Sequence, residues 1–192
     1  MMQIKMYIKK LIALPILFTL ICCSAVRDRK IINDFISVQK EVVQGDSIYI
    51  NTLAVNEETI IDIYAEVLTQ KESGAMIDYY YTDTLSEWPF NSEEIKALKE
   101  KSFPNHNWSL DYFDYTKTKP LKKGRAFLIS YVNEGSRSVY AVSKPLVKGK
   151  TALLYFSSGV LLHGGTKYGV FVLKKINGKW QEIGQMDQII FY

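Results

Sequence analysis

The chain has 192 residues, 47% of them hydrophobic and 23% charged, with 24 Lys and Arg against 20 Asp and Glu. This composition suits one well-buried domain and excludes intrinsic disorder, collagen-like repeats and a multi-span membrane protein. Most of the net charge of +4 comes from Lys5, Lys9 and Lys10; residues 23–192 carry 21 basic and 20 acidic groups, so charge gives no argument for nucleic acid.

Residues 1–22 have the layout of a secretory signal peptide: the three lysines, then an uncharged apolar run from Leu11 to Cys22. Extended to Val26, the run reaches 16 residues before Arg27, Asp28, Arg29 and Lys30 stop it. A membrane-spanning helix needs about 20, and Pro15 further weakens a permanent span. The segment Leu20-Ile21-Cys22-Cys23-Ser24 resembles a bacterial lipobox, with Leu20 three places before Cys23 and a departure at Cys22, where the pattern has Gly, Ala or Ser. Placing the acceptor at Cys22 would put Thr19 at the Leu position. The resemblance implies lipid attachment at Cys23; the alternative is cleavage after Ala25 and secretion. A diacylated cysteine holds a protein stably at a membrane, whereas one chain does not. The two adjacent cysteines are the only thiols, which leaves neither a disulfide partner.

No internal repeat or Pro/Gly/Ser-rich linker divides the rest, so the expected organisation is a signal peptide over 1–22, an attachment cysteine and short tether over 23–27, and one domain over 28–192. From Asp28 to Val43, Ile31, Ile32, Phe35, Val38, Val42 and Val43 recur near a 3.6 period, and Gly45 closes the segment. Asn56 is the expected N-cap of a second helix, with Glu57 and Glu58 in its first turn and an apolar stripe of Ile60, Ile63, Tyr64, Val67 and Leu68. Ser92 is the expected cap of a third, short helix through Ile95, Leu98 and Lys101. Between these, Ser47–Leu53 and Met76–Thr82 read as strands.

The C-terminal half reads as strand and turn: Ala126–Val132 and Ser138–Ser143 about the turn Asn133–Ser136, then Thr151–Phe156 and Gly169–Ile176 with a glycine-rich loop over Ser157–Tyr168. Asn177-Gly178 predicts a type I′ turn into a last strand through Trp180 and Ile183. Consecutive short-linked strands favour an antiparallel meander, so the expected class is α+β, with two or three N-terminal-half helices packed on one face.

The stretch from Ser143-Lys144-Pro145 through Ala152–Tyr155, Gly164-Gly165 and Leu173–Trp180 is similar to uncharacterised envelope proteins of the Bacteroidetes type, over roughly the last 50 residues. The same ending resembles the last hairpin of cone-shaped NTF2-like domains. Both resemblances bear on location and class and bring no catalytic motif.

Patterns that carry chemistry are sparse. His106 and His163 are too far apart for a helical metal pair, so neither a metal nor a cofactor is expected. His163-Gly164-Gly165 lacks a matching G-x-S-x-G, and Gly149-Lys150-Thr151 has Lys144 where a P-loop needs glycine. Asp111 with Asp114 or Asp78 could form an acid–base pair, and Asp78 and Asp83 bracket Tyr79–Tyr81. Tyr79, Tyr81, Trp108 and Tyr112 are the candidate ligand-binding aromatics, since exposed rings anchor sugars and protein partners.

Three functions compete. The first is a non-enzymatic, membrane-anchored envelope lipoprotein that binds an envelope protein or glycan. The second is a hydrolase of an envelope polysaccharide or peptide. The third is an NTF2-like pocket lined by Tyr64, Trp108 and Trp180. The first asks least of the residues, and nucleic acid is not an expected partner.

Overall fold

The computed structural model describes residues 24–74, 88–121, 138–160 and 164–186. The leader, Cys23, the expected strands Met76–Thr82 and Ala126–Val132 and the turn between Asn133 and Ser136 lie outside them. The described residues form four helices and a seven-stranded, mostly antiparallel sheet, an α+β fold. Helix α1 covers residues 24–36; α2 is Lys40–Val43, α3 Glu57–Ser73 and α4 Ser92–Lys99. The strands are β1 (Ile48–Ile50), β2 (Thr118–Pro120), β3 (Ser138–Val142), β4 (Leu146–Lys148), β5 (Thr151–Val160), β6 (Gly164–Ile176) and β7 (Lys179–Met186).

Helix ends follow local chemistry. The Asn56 carboxamide accepts the Glu58 N–H at 2.9 Å and opens α3; Gly74, at φ 67°, closes it. For α4 the cap is Asn91 rather than Ser92, because Glu94 completes a capping box: Asn91 Oδ1 accepts the Glu94 N–H and Glu94 Oε2 accepts the Asn91 N–H. The expected helix over Asp28–Val43 is broken. Gln39 is extended (ψ 146°), and its buried side chain donates to the Phe35 carbonyl, so the backbone turns before α2. In consequence Val38 and Val43 face water instead of the core.

The strand order is β2-β1-β3-β5-β6-β7, with β4 also on β5. Strands β3 and β4 line one edge of β5 in succession, their registers offset by a single residue. They are one interrupted strand, kinked at Ser143-Lys144-Pro145. From there β5, β6 and β7 run as the expected meander, and Asn177 (φ 50°) and Gly178 (φ 81°) make the predicted turn. The loop expected over Ser157–Tyr168 is instead largely strand: Ser157 pairs with Tyr168 and Gly159 with Gly165, a register shift absorbing the glycines. Strand β1 is shorter than Ser47–Leu53 and pairs in parallel with both β2 and β3, a non-local arrangement that sequence periodicity does not encode.

Both faces of the sheet are covered. Ala152, Leu154, Phe156, Phe171 and Leu173 pack with Ile31, Ile32, Phe35 and Ile36 of α1. On the other face Leu153, Val170, Val172 and Met186 pack with Ile60, Tyr64, Val67 and Leu68 of α3 and Ile95 of α4. Thus α3 and α4 share one face as expected, and α1 takes the other. Leu153→Ala and Leu154→Ala are therefore both expected to cost about 2–5 kcal/mol, measured by urea unfolding; a sheet packed on one face only would leave one of the two near neutral.

Candidate functional site

The expected ligand-binding aromatics divide. Tyr79, Tyr81 and Cys23 lie outside the described residues, as do Asp78, Asp83 and His163. Trp108 and Tyr112 are brought together, with ring centroids 4.7 Å apart. Trp108, however, is 4% exposed, and its indole N–H donates to the Val142 carbonyl at 3.1 Å. It packs the α1 face of the core and offers no platform for a ligand. Tyr112 is half-buried; burial, then the Asp28 charge, pushes its hydroxyl above the usual tyrosine range. Tyr64 lies in the cluster on the α3 face, whereas Trp108 and Trp180 lie in the one on the α1 face, so these three do not share a cavity.

The carboxylates of Asp111 and Asp114 are exposed on an open surface. Asp111 accepts from the Ser109 hydroxyl, and Asp114 pairs with Arg29 at 2.6 Å. Neither is desolvated, which an acid–base pair at neutral pH requires.

Beside Trp108 the fold assembles a set of ionisable groups from four distant segments. Asp28 sits in α1, Glu57 at the first position of α3, His106 in the loop before Trp108, and Lys144 at the β3–β4 kink. Burial raises the Asp28 carboxyl above its ordinary value against the attraction of Arg27 and Lys144. Glu57, 8% exposed, is raised by burial too, while its own backbone N–H and Lys144 pull the other way. Burial, then Lys144, lowers the His106 imidazole (ring 4.3 Å from Trp108). The kink that places Lys144 is held by Ser143, whose hydroxyl accepts the Tyr155 N–H and donates to the Lys144 carbonyl. Among the described residues, no group of three or more His, Cys, Asp or Glu is placed to hold a metal. Each member lies in a different element, and no sequence spacing could have announced the set.

On the opposite face a groove of about 360 Å³ opens at the β4–β5 turn. Trp88 and Pro89 form its wall; Lys148, Thr151, Lys174 and Ile183 cross its floor. Trp88 is placed by Tyr64, which meets its ring edge-on at 5.5 Å and fixes the following backbone by accepting the Phe90 N–H and donating to the Phe90 carbonyl. Lys71 stands 4.3 Å over the Trp88 ring. Lys148 reaches both carboxylate oxygens of Glu94, at 2.5 and 2.6 Å, which holds that carboxyl below its ordinary value. A second hollow of about 240 Å³, lined by Glu58, Ile61, Asp62 and Lys99, is crossed by the Lys99–Asp62 ion pair at 3.2 Å. The Trp88 groove is thus the better ligand site. Sequence reading passed over Trp88, because only tertiary packing sets it among lysines from β4 and β6.

The ionisable set has two readable consequences. His106 is expected to titrate below 6.5 by NMR, with Lys144→Met moving its midpoint upward. For Glu57 the native state holds its proton more tightly than the unfolded chain, so stability falls as pH rises through the raised value. Glu57→Gln should therefore raise Tm at pH 7 and lose that advantage by about pH 4, below the unfolded carboxyl value.

Comparison with known proteins gave no match to this chain, among family models, curated sequences or solved structures.

Proposed function

We propose that the protein is a cell-envelope lipoprotein, anchored through Cys23, whose folded domain binds an envelope partner without catalysing a reaction. The observation that carries the binding role is the Trp88 groove, where an aromatic wall faces a floor bearing two lysines and a hydroxyl. Small-ligand sites combine an apolar surface with a few polar groups, in volumes of about 300–1,000 Å³, and this groove meets both conditions at the lower end. The exposed Asp111 and Asp114 give the hydrolase reading no support.

The anchoring role rests on the lipobox-like segment ending at Cys23. No helix among the described residues is long and apolar enough to cross a membrane. Residues 24–36 are helical, and Ile31, Ile32, Phe35 and Ile36 lock that helix to the sheet. A lipid on Cys23 would therefore hold the domain through a rigid, exposed first turn rather than a loose tether.

The test is the intact mass of the detergent-extracted chain and of its Cys23→Ala variant. The expected result is a mature N-terminus at Cys23 carrying acyl mass, with the variant unacylated and released from the membrane fraction. A product beginning at Val26 without added mass would overturn the anchor.

A further inference from the structure

We propose that the groove beside Trp88 takes an acidic saccharide, with a sugar ring stacked on Trp88 and its carboxylate received by Lys148 and Lys174. This rests on the reading of the protein as a binding domain and names the ligand class. Two observations converge on it. The wall is a tryptophan backed by proline, a flat apolar surface suited to the C–H face of a sugar ring. The floor places Lys148 and Lys174 on the α3 face of the sheet with the Thr151 hydroxyl between them, and Thr151 and Lys174 are cross-strand partners.

Glu94 shows what chemistry the floor selects. Its carboxylate is taken by Lys148 through both oxygens while remaining at the mouth of α4, where Asn91 also donates to it. An incoming uronate carboxylate would do for Lys148 what Glu94 does, so Glu94 is an internal competitor for the same cation. A nucleic acid strand fits less well, because it needs a track of cations along many phosphates, and residues 23–192 are nearly balanced in charge. A groove of about 360 Å³ suits one ring and one charge at a time.

The experiment is a fluorescence titration of the detergent-solubilised full chain with hexagalacturonate and, in parallel, with the neutral cellohexaose. Trp108 and Trp180 are buried at 4% exposure and Trp88 is half-buried, so a ligand-induced change reports on Trp88; Trp88→Phe should abolish it. Hexagalacturonate is expected to bind more tightly than cellohexaose, and less tightly as salt is raised. Lys148→Met with Lys174→Met should lower its affinity at least about tenfold, the scale of one lost charge-assisted hydrogen bond. Glu94→Gln should raise it several-fold; glutamine still serves the capping box, so α4 is retained. Unchanged circular dichroism and unfolding midpoints show that the variants are folded.

Equal affinity for both oligosaccharides would overturn the acidic class while leaving the binding-domain reading intact. Binding of neither would overturn the saccharide site. Lysine-dependent association with vesicles of anionic phospholipid, or with a single-stranded oligonucleotide, in place of hexagalacturonate would overturn it in favour of that partner.

Discussion

Strands β5 and β6 place consecutive large apolar residues on opposite faces of one sheet: Ala152, Leu154 and Phe156 against Leu153, and Phe171 and Leu173 against Val170 and Val172. At about 25 cal/mol per Å² of apolar surface, neither face can be left to water. The sheet must be covered twice, and the remainder of the architecture follows from that demand. Helix α1 closes one face with Ile31, Ile32, Phe35 and Ile36; α3 and α4 close the other. Long uninterrupted apolar runs of this kind mark doubly covered strands, whereas a sheet open on one side alternates apolar with polar.

Double coverage also decides where polar groups can gather. The ionisable groups gather where α1, the start of α3 and the β3–β4 kink meet, and the groove opens at the β4–β5 turn. At one place the Ser143–Pro145 kink interrupts the strand opposite β5 and brings Lys144 among Asp28, Glu57 and His106. The two carboxyls are raised and the imidazole is lowered, so burial favours the neutral form of each; Lys144 opposes this for the carboxyls and reinforces it for the imidazole. As pH falls, the carboxyls favour the folded state and the imidazole opposes it. The set is consistent with a packed junction of α1, α3 and the 106–112 loop.

At the β4–β5 turn the same geometry gives a different outcome. Lys148, Thr151 and Lys174 lie beyond the last apolar layer, on the face that α3 and α4 cover further along. The Trp88–Phe90 segment, pinned by both hydrogen bonds of the Tyr64 hydroxyl, stands over them as a wall. A buried tyrosine thereby fixes the position of a half-buried tryptophan. Pre-organisation of this sort lowers the ordering cost of binding.

The sequence by itself determined the local elements and the class. Asn56 capped its helix, Gly74 and Gly45 ended theirs, Asn177-Gly178 turned the last hairpin, and the apolar runs became the central strands. Each of these depends on interactions within a few residues, which is the range that spacing can encode. The break at Gln39 was not legible, because it depends on burying a glutamine side chain that bonds back to Phe35. Nor was the parallel pairing of β1 with β2 and β3, which joins segments about 70 and 90 residues apart. Of the candidate site, Trp108 and Tyr112 meet in space, but Trp108's burial removed it from ligand contact. Tertiary structure alone chose Trp88, Lys148 and Lys174 for one groove, because bringing residues from three elements to a common surface requires a core that fixes all three at once.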